Sequence, residues 1–198
     1  PRGPNPLLSL SLFPNLQTLH VQRVPPSFFV PLPPDLQLLK VERSHVYSLR
    51  SLLFPPAPSA STSLPRDATL ALTHLKISES SLTAQCFDGW SWSLLPNLTV
   101  LDLSHNNLTG PAPLLGVDSC SSLRSLSLRS NKITSVRRVR VALGRLDVSR
   151  NDVEDFTGIS ECLSLRDVDV TGNPGEREGT DVVRLCKLPV LERIWITL

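Results

Sequence analysis

The sequence is poor in aromatic residues, glycine and methionine. Aromatic residues make up 5% of the 198 residues, glycine occurs 9 times and methionine is absent. The core must therefore be largely aliphatic, and a chain of this length with 40% hydrophobic residues can bury one in a single domain. The absence of methionine and the first residue, Pro1, indicate a fragment or processed form of a longer chain.

Long apolar runs and a strong charge imbalance are also missing. No apolar run approaches the roughly 18 residues that a membrane span needs, and residues 1–13 lack the layout of a signal peptide. The formal net charge is only +2, which gives no strong attraction to nucleic acid or anionic membranes. We expect a soluble chain whose partner is selected by local patterning.

Metal and redox motifs are not evident either. The four cysteines are far apart and form no CxxC pair, so zinc-binding spacing is absent: Cys86, Cys120, Cys162 and Cys186. We expect buried, reduced thiols that pack as small hydrophobic groups. A disulfide between Cys162 and Cys186 is the alternative that the sequence leaves open.

The sequence offers little for catalysis. The four histidines fall in four separate places without a nucleophile at diagnostic spacing: His20, His45, His74 and His105. No GxGxxG, Walker loop or HExxH sequence occurs. The sequence therefore predicts a protein that is not an enzyme and that needs no cofactor and no metal.

An internal repeat organises the chain. The pattern LxxLxLxxNxL, whose positions we number one to eleven, allows Val or Ile at its apolar positions and fits four times in register. The four copies begin at Leu98, Leu123, Leu143 and Leu165, and their position-nine asparagines are Asn106, Asn131, Asn151 and Asn173. Weaker copies begin at Leu16, Leu36 and Leu72 and carry Val24, Ser44 and Ser80 at position nine. A last strand contains Leu191, Ile194 and Ile196.

This pattern predicts an α/β solenoid of about seven coils plus a closing strand. Alternate strand residues face one way, so positions four and six should point into the core while positions three, five and seven face solvent. The position-nine amide has a donor and an acceptor for backbone groups at the bend. Serine can do part of this, but Val24 cannot, so we expect the first coils to be less regular and less stable.

The spacing of the coils locates one insertion within a single domain, residues 1–198. Successive position-one residues from Leu16 are 20, 36, 26, 25, 20, 22 and 26 residues apart, and only the 36-residue step is anomalous. Residues 54–64 are rich in Pro and Ser, and we predict a flexible surface insertion there, after an N-terminal lead-in at residues 1–15. Trp90 and Trp92 are interpreted as packing residues, and an exposed aromatic anchor is the alternative.

The end of the chain carries the most specific resemblance. Gly172, Asn173 and Pro174, followed later by Leu188 and Leu191, make residues 172–198 resemble the C-terminal cap of intracellular leucine-rich-repeat (LRR) proteins. The chain is similar to the short-repeat, phosphatase-regulator-like class and, loosely, to the repeat domains of nischarin and the liver-kinase-interacting scaffold protein. The resemblance implies a horseshoe with a parallel β-sheet on its concave face and short helices, 3-10 turns and loops on its convex face.

The function that this resemblance implies is that of a scaffold or adaptor domain. Such a domain is non-catalytic and docks a partner protein in the cytoplasm, within a larger signalling or regulatory protein. The partner could belong to a kinase, phosphatase or small-GTPase system, the domain would be a monomer, and membranes would be reached only indirectly.

A second resemblance supports an extracellular alternative. The segment LDLSHNNLTGPAP resembles the longer repeats of plant-type receptor ectodomains, which bind ligands. Asn97 and Asn107 each begin an N-glycosylation sequon, which would suit a secreted chain. The paired-cysteine caps of those ectodomains are missing, which favours the intracellular class.

The residues predicted to face the partner lie at positions three, five and seven, which we call the concave face. The predicted site residues are His20, Lys40, Lys76, Asp102, Arg129, Arg145, Asp147, Asp169 and Trp195. Position five is basic at one end and acidic at the other, which indicates a polarised groove for an extended segment or a helix, although any solenoid displays mixed charge. Because exposed strand residues contribute little to folding, reversing Asp147 and Asp169 should leave the melting temperature nearly unchanged.

A basic run gives a further alternative. Arg137, Arg138 and Arg140, with Arg145 and Arg150 nearby, could contact RNA or a phosphoinositide. No aromatic residues interleave with these arginines, and the overall charge is near neutral. The sequence therefore favours a protein partner over nucleic acid.

Overall fold

The computed structural model describes residues 10–24, 32–55, 69–110, 117–136, 142–177 and 183–197. Eight strands form one sheet in chain order, and every neighbouring pair is parallel. The strands are β1 Thr18–Gln22, β2 Leu38–Glu42, β3 His74–Ser78, β4 Val100–Asp102, β5 Ser125–Ser127, β6 Arg145–Asp147, β7 Asp167–Asp169 and β8 Arg193–Trp195. The predicted solenoid is thus confirmed.

The register of the sheet follows the repeat. Position four of each coil pairs with position four of the next, for example Leu101 with Leu126 and Leu126 with Leu146. The long step does not disturb this register, because Leu39 pairs with Leu75. Positions four and six are buried along the middle of the stack, whereas Leu19 of the first strand and Ile194 and Ile196 of the last coil are only partly buried.

The other side of the solenoid, which we call the convex face, carries short helices. The α-helix α1, Leu49–Leu53, was not predicted; Ser48 caps it by accepting a hydrogen bond from the Ser51 N–H at 3.3 Å. The 3-10 helices are Leu10–Leu12, Ala84–Phe87, Trp92–Leu94, Val117–Ser119, Ile159–Glu161 and Pro174–Arg177.

An aromatic cluster fills the convex side beside α1. Trp92 is 2% exposed and meets Trp90 edge to face, with ring centroids 5.7 Å apart. Phe54 lies 6.3 Å from Trp90 and packs against the core. The packing interpretation of both tryptophans is confirmed, and Phe54, placed in the predicted insertion, belongs to the packed structure. Residues 56–64 of that insertion lie outside the described residues.

The cysteines are free thiols, but they are not all buried. Cys86, Cys120 and Cys162 are buried, and burial raises the pKa of the Cys120 thiol to about 11. Cys186 is exposed, so the prediction of burial is wrong for it. It follows the last turn of the cap and lies outside the apolar stripe that contains Leu185 and Leu188.

The position-nine asparagines connect consecutive coils. Asn151 Nδ2 donates to the carbonyl of Val148 in its own coil and to that of Leu128 in the preceding coil, both at 2.9 Å. Asn151 Oδ1 accepts the N–H of Ile133 at 3.0 Å. Equivalent bonds are made by Asn106, Asn131 and Asn173. These bonds form a ladder of buried amides, as the pattern predicts.

Serine replaces this ladder only in part. Ser44 Oγ accepts the N–H of Val24 at 3.1 Å and donates to the carbonyl of Glu42 at 3.0 Å. Ser80 Oγ likewise accepts the N–H of Ser44 and donates to the carbonyl of Ser78. A hydroxyl is shorter than an amide, and in the described residues neither serine bonds the position-six carbonyl of the preceding coil.

The expectation of less regular early coils is wrong for their strands. Strands β1 to β3 have five residues each and β4 to β8 have three. In the later coils the asparagine occupies the position-six carbonyl of the preceding coil, as Asn106 does with Ile77 at 2.7 Å. The position-seven N–H of the later coil therefore loses this backbone acceptor, and the regular strand ends at position five. Backbone bonds between coils continue beyond it, for example from the His105 N–H to the carbonyl of Arg129 at 2.8 Å.

Position eight of all seven coils has a left-handed backbone. The φ angles lie between 50° and 73° for Arg23, Arg43, Glu79, His105, Ser130, Arg150 and Gly172. Six of these residues are not glycine, so six of the seven coils store local strain in their bends. The glycine-poor composition thus does not reflect a lack of left-handed positions.

Candidate partner-binding face

A groove of about 500 Å³ crosses the middle of the concave face. Its floor includes Val100, Ser125 and Ser127, whose side chains are short and only partly exposed. Longer charged side chains border this floor: Glu42, Lys76, Asp102, Arg129, Arg145 and Asp147. We call this feature the central groove. It can receive side chains of another molecule.

The predicted site residues divide into three groups along the sheet. Lys76, Asp102, Arg129, Arg145 and Asp147 line the central groove. The remaining four lie outside it: His20 and Lys40 on β1 and β2, and Asp169 and Trp195 on β7 and β8. The structure thus brings five of the nine together.

The basic end of the concave face is largely neutralised within the chain. Glu42 Oε1 lies 2.9 Å from Lys40 Nζ, and Glu42 Oε2 lies 3.1 Å from His20 Nε2. The hydrogen bond from Lys40 is the main cause that lowers the pKa of Glu42. Lys76 Nζ pairs with Asp102 Oδ2 at 3.0 Å.

The position-five aspartates at the other end have a structural role. Asp147 Oδ1 accepts the Ser149 N–H at 3.0 Å and the Ser149 hydroxyl at 2.6 Å. Asp169 Oδ1 accepts the N–H of Thr171 at 3.0 Å, and Asp102 Oδ1 accepts that of Ser104 at 3.0 Å. Since these N–H groups no longer pair with a strand, the carboxylates satisfy them. Reversal of Asp147 and Asp169 therefore cannot leave folding unaffected, as the sequence had suggested.

Position seven faces solvent less than predicted. Ser149 is 0% exposed, and Ser78 and Ser104 are also buried. The strand ends at position five in the later coils, so position seven already turns into the bend beneath the carboxylate. Arg129 is the one long side chain at position seven of the later coils. Its guanidinium donates to Ser149 Oγ at 2.8 Å and lies 4.0 Å from Asp169 Oδ2.

Arg145 differs from the other charged residues of the central groove. It is exposed, and it has no ion pair or hydrogen-bond partner for its side chain among the described residues. Its neighbour in the same row, Asp167, is held instead by Arg193, whose Nη2 lies 2.7 Å from Asp167 Oδ2. That hydrogen bond is the main cause that lowers the pKa of Asp167.

Trp195 lies at the C-terminal end of the concave face. Its ring is 42% exposed, and the Arg193 guanidinium lies 5.8 Å from the ring centroid. An aromatic ring that is half in solvent can contact a partner, but it lies outside the central groove.

Sequence reasoning missed the floor of the groove. Ser125 and Ser127 are small polar residues at positions three and five, which the charge-based interpretation passed over. A run of short side chains on a concave face flanked by long ones is the signal that could have identified it. Glu42, at position seven, was missed because its role is to pair with His20 and Lys40, and a strand pattern does not show such pairs.

Other candidate sites have less support. Among the described residues no group of three or more His, Cys, Asp or Glu is arranged to hold a metal ion. The described part of the chain contains no helix long and apolar enough to cross a membrane. Arg137, Arg138 and Arg140 of the basic run lie outside the described residues, and Arg150 is exposed at a left-handed position.

Comparison with known proteins identifies the repeat. Residues 96–138 match the model of the leucine-rich repeat family described as "Leucine Rich repeats (2 copies)". No curated protein sequence matches the chain.

Solved structures match over most of the chain. An internalin C2 from Listeria monocytogenes superimposes with a TM-score of 0.56 at 19% identity, covering 91% of this chain and 80% of that one. An internalin (InlF) from the same organism gives a TM-score of 0.57 at 18% identity, covering 83% of this chain, which spans half of the internalin's length. The leucine-rich repeat domain of APL1B gives 0.56 at 19% identity and coverages of 96% and 59%.

These similarities concern the fold. All three structures are leucine-rich-repeat proteins or are built like them, and leucine-rich-repeat domains generally bind other proteins. The eight parallel strands in chain order and the short convex helices agree with that architecture. The chain therefore contains leucine-rich repeats and has the fold of a leucine-rich-repeat solenoid.

Proposed function

We propose that this domain is a non-catalytic protein-interaction module that docks a partner protein on its concave face. The observation that carries the proposal is the central groove, in which short side chains on β4 and β5 are surrounded by long charged ones. Such a trough gives a protruding partner segment close access to the sheet, and mixed charges at its border provide specificity.

The rigidity of the face supports docking. The asparagine ladder fixes the bends of the later coils, and Asp102 and Asp147 add a second bond at two of the bends beside the groove, so the groove exists before a partner binds. A preformed surface avoids the entropy that ordering a flexible one would cost. We therefore expect a partner to be recognised with little change in the backbone.

We further propose that the domain is a monomeric scaffold or adaptor of the intracellular, phosphatase-regulator-like class. In this setting it acts in the cytoplasm within a signalling or regulatory protein, and its partner belongs to a kinase, phosphatase or small-GTPase system. The four free thiols support a reducing compartment. Both signs of charge at the groove favour a protein over nucleic acid, which would need a basic surface.

The test is to fill the groove. Ser125→Trp and Ser127→Trp place large rings on its floor, and Thr134→Trp adds the same ring to an exposed position outside the groove as a control. A partner captured by the unmodified domain, identified and purified, should bind both floor variants at least roughly tenfold more weakly and the control equally. Equal binding by all variants with unchanged melting temperatures would refute concave docking.

A second candidate is an extracellular ligand-binding ectodomain. Asn97 and Asn107, the first residues of the two sequons, both have exposed side chains, so a glycan could be carried at either position. Expression in a secreting eukaryotic cell, followed by mass spectrometry of Asn97→Gln and Asn107→Gln variants, distinguishes the two. High occupancy with retained folding favours the ectodomain, whereas unmodified asparagines favour the intracellular scaffold.

A further inference from the structure

The acidic side chains of the central groove already have partners within the chain. Glu42 pairs with Lys40 and His20, and Glu79 Oε2 accepts from Arg43 Nε at 2.9 Å. Asp102 and Asp147 each accept the N–H two residues ahead, and Asp102 also pairs with Lys76. A partner's base would therefore have to compete with bonds that hold the fold together.

Arg145 is the opposite case. Its guanidinium makes no hydrogen bond or ion pair among the described residues, although Asp147 lies on its own strand and Asp167 on the next one. It acts on Asp167 only through space, as one of the weaker causes that lower the pKa of that carboxyl. Asp167 is held by two bonds from Arg193, and Asp147 by its own turn. A guanidinium presents donors in a planar fork that fits a carboxylate with two bonds.

The residues at position three of the two preceding coils lie beside Arg145 and indicate what else the partner presents. Arg145 pairs across the sheet with Ser125, and Ser125 pairs with Val100, so a cation, a small side chain and an aliphatic one lie in a line. Two strand spacings separate Arg145 from Val100, or roughly 10 Å, which an extended segment covers in about three residues.

We propose that Arg145 recognises a carboxylate and that the occupant of the central groove is an extended acidic segment of the partner protein. The segment places an Asp or Glu on Arg145 and an aliphatic side chain against Val100, about three residues away, with small residues above Ser125. This proposal rests on the concave docking function proposed above and specifies its partner.

The experiment uses a random dodecapeptide library displayed on phage and selected separately on five forms of the domain. These are the unmodified domain, Arg145→Glu, Arg145→Ala, the groove-filling Ser127→Trp and the control Lys132→Glu, which reverses an exposed cation outside the groove. Circular dichroism and melting temperatures establish that each variant is folded. The best peptide of the first selection is then measured against all five by fluorescence polarisation.

The expected result is enrichment of Asp and Glu, with an aliphatic residue at the stated spacing, on the unmodified domain and on Lys132→Glu. Arg145→Ala should weaken the selected peptide roughly tenfold, the size expected for loss of a charge-assisted bond, and Arg145→Glu should abolish the acidic preference. Ser127→Trp should abolish binding.

The alternative outcomes distinguish a failure of the acidic-segment proposal from a failure of concave docking. Peptides that need an open groove but are not acidic, or whose acidic preference survives in Arg145→Glu, overturn the carboxylate assignment and leave concave docking intact. Peptides that bind Ser127→Trp as well as the unmodified domain contradict docking in the groove itself. If no sequence is enriched, the acidic-segment proposal is rejected, and a folded partner surface remains to be tested with the groove-filling variants.

Discussion

The first three coils and the four that follow make the same bend with different side chains. The early coils have His or Lys at position five, Val or Ser at position nine and five-residue strands. The later coils have Asp or Ser at position five, Asn at position nine and three-residue strands. Where the asparagine takes a backbone carbonyl, an N–H is released, and in three of the four coils an aspartate accepts it.

This difference explains the charge gradient along the concave face. The acidic end follows from the turn chemistry of the later coils, and the basic end accompanies coils that need no carboxylate there. A gradient that resembles a binding signal thus has a structural origin. Among the charged side chains that line the central groove, only that of Arg145 makes no hydrogen bond or ion pair with the described residues.

The largest expected effect contrasts the two bend types directly. Asn151→Ala should lower the free energy of unfolding by roughly 3 to 5 kcal/mol, because the N–H of Ile133 and the carbonyls of Leu128 and Val148 all lose a buried partner. Ser44→Ala should cost only about 1 to 2 kcal/mol, since its hydroxyl makes two such bonds. Urea unfolding of both variants measures the difference. Equal losses would mean that the two bends are energetically equivalent.

A smaller effect is expected at position five. Asp147→Ala should cost about 1 to 2 kcal/mol, because the buried Ser149 N–H loses its acceptor. Lys40→Ala removes only a partly exposed ion pair and should cost less than about 0.5 kcal/mol. Thermal melts of the two variants make the comparison. If the two variants have the same melting temperature, the turn does not depend on the carboxylate of Asp147.

Substitutions to glycine at the left-handed position eight should change stability by the same amount in both groups of coils. Arg23→Gly and Ser130→Gly each relieve strain at a positive φ and should stabilise by roughly 0.5 kcal/mol after the entropy of glycine is counted. Gly172→Ala introduces the same strain and should destabilise by about 1 kcal/mol. Chemical denaturation tests all three. A gain confined to one group would show that the shared φ angle has a different cost in the two bends.

The smallest effect concerns acid. The pKa of Glu42 in the early coils and that of Asp167 in the later coils are both lowered, by Lys40 and Arg193 respectively. A lowered folded pKa contributes stability above the unfolded value of about 4 and loses it as the pH falls through the folded value. Glu42→Gln and Asp167→Asn should therefore each flatten the fall in stability below pH 4, with little change in that slope near pH 7. A variant with an unaltered acid slope would show that its ion pair is too screened to matter.

The sequence predicted the solenoid because its strongest constraints are local and repeated. Apolar residues at positions four and six can only be buried together if the strands stack in register, and an amide at position nine has to satisfy the bend. These two constraints predict all eight strands, including β3, which follows the 36-residue step from Leu36 to Leu72.

The same reasoning could not predict the role of Asp147 or the exposure of Cys186. An aspartate that caps a turn and an aspartate that faces a partner look alike in a strand pattern, since both alternate with core residues. The difference depends on whether the next-but-one N–H is paired, which is decided by the asparagine of the same bend. The nine candidate site residues remain a prediction, of which Arg145 is the most specific.

The asparagine ladder also has a direction. Each bend is completed by the coil that follows it: the Leu82 N–H by Asn106, that of Leu108 by Asn131, and that of Ile133 by Asn151. A ribosome delivers these asparagines in turn, 25 and 20 residues apart, so every nascent coil waits for its successor before its backbone is satisfied. We therefore expect folding during synthesis to follow translation with a delay of one coil and to proceed from the N-terminus.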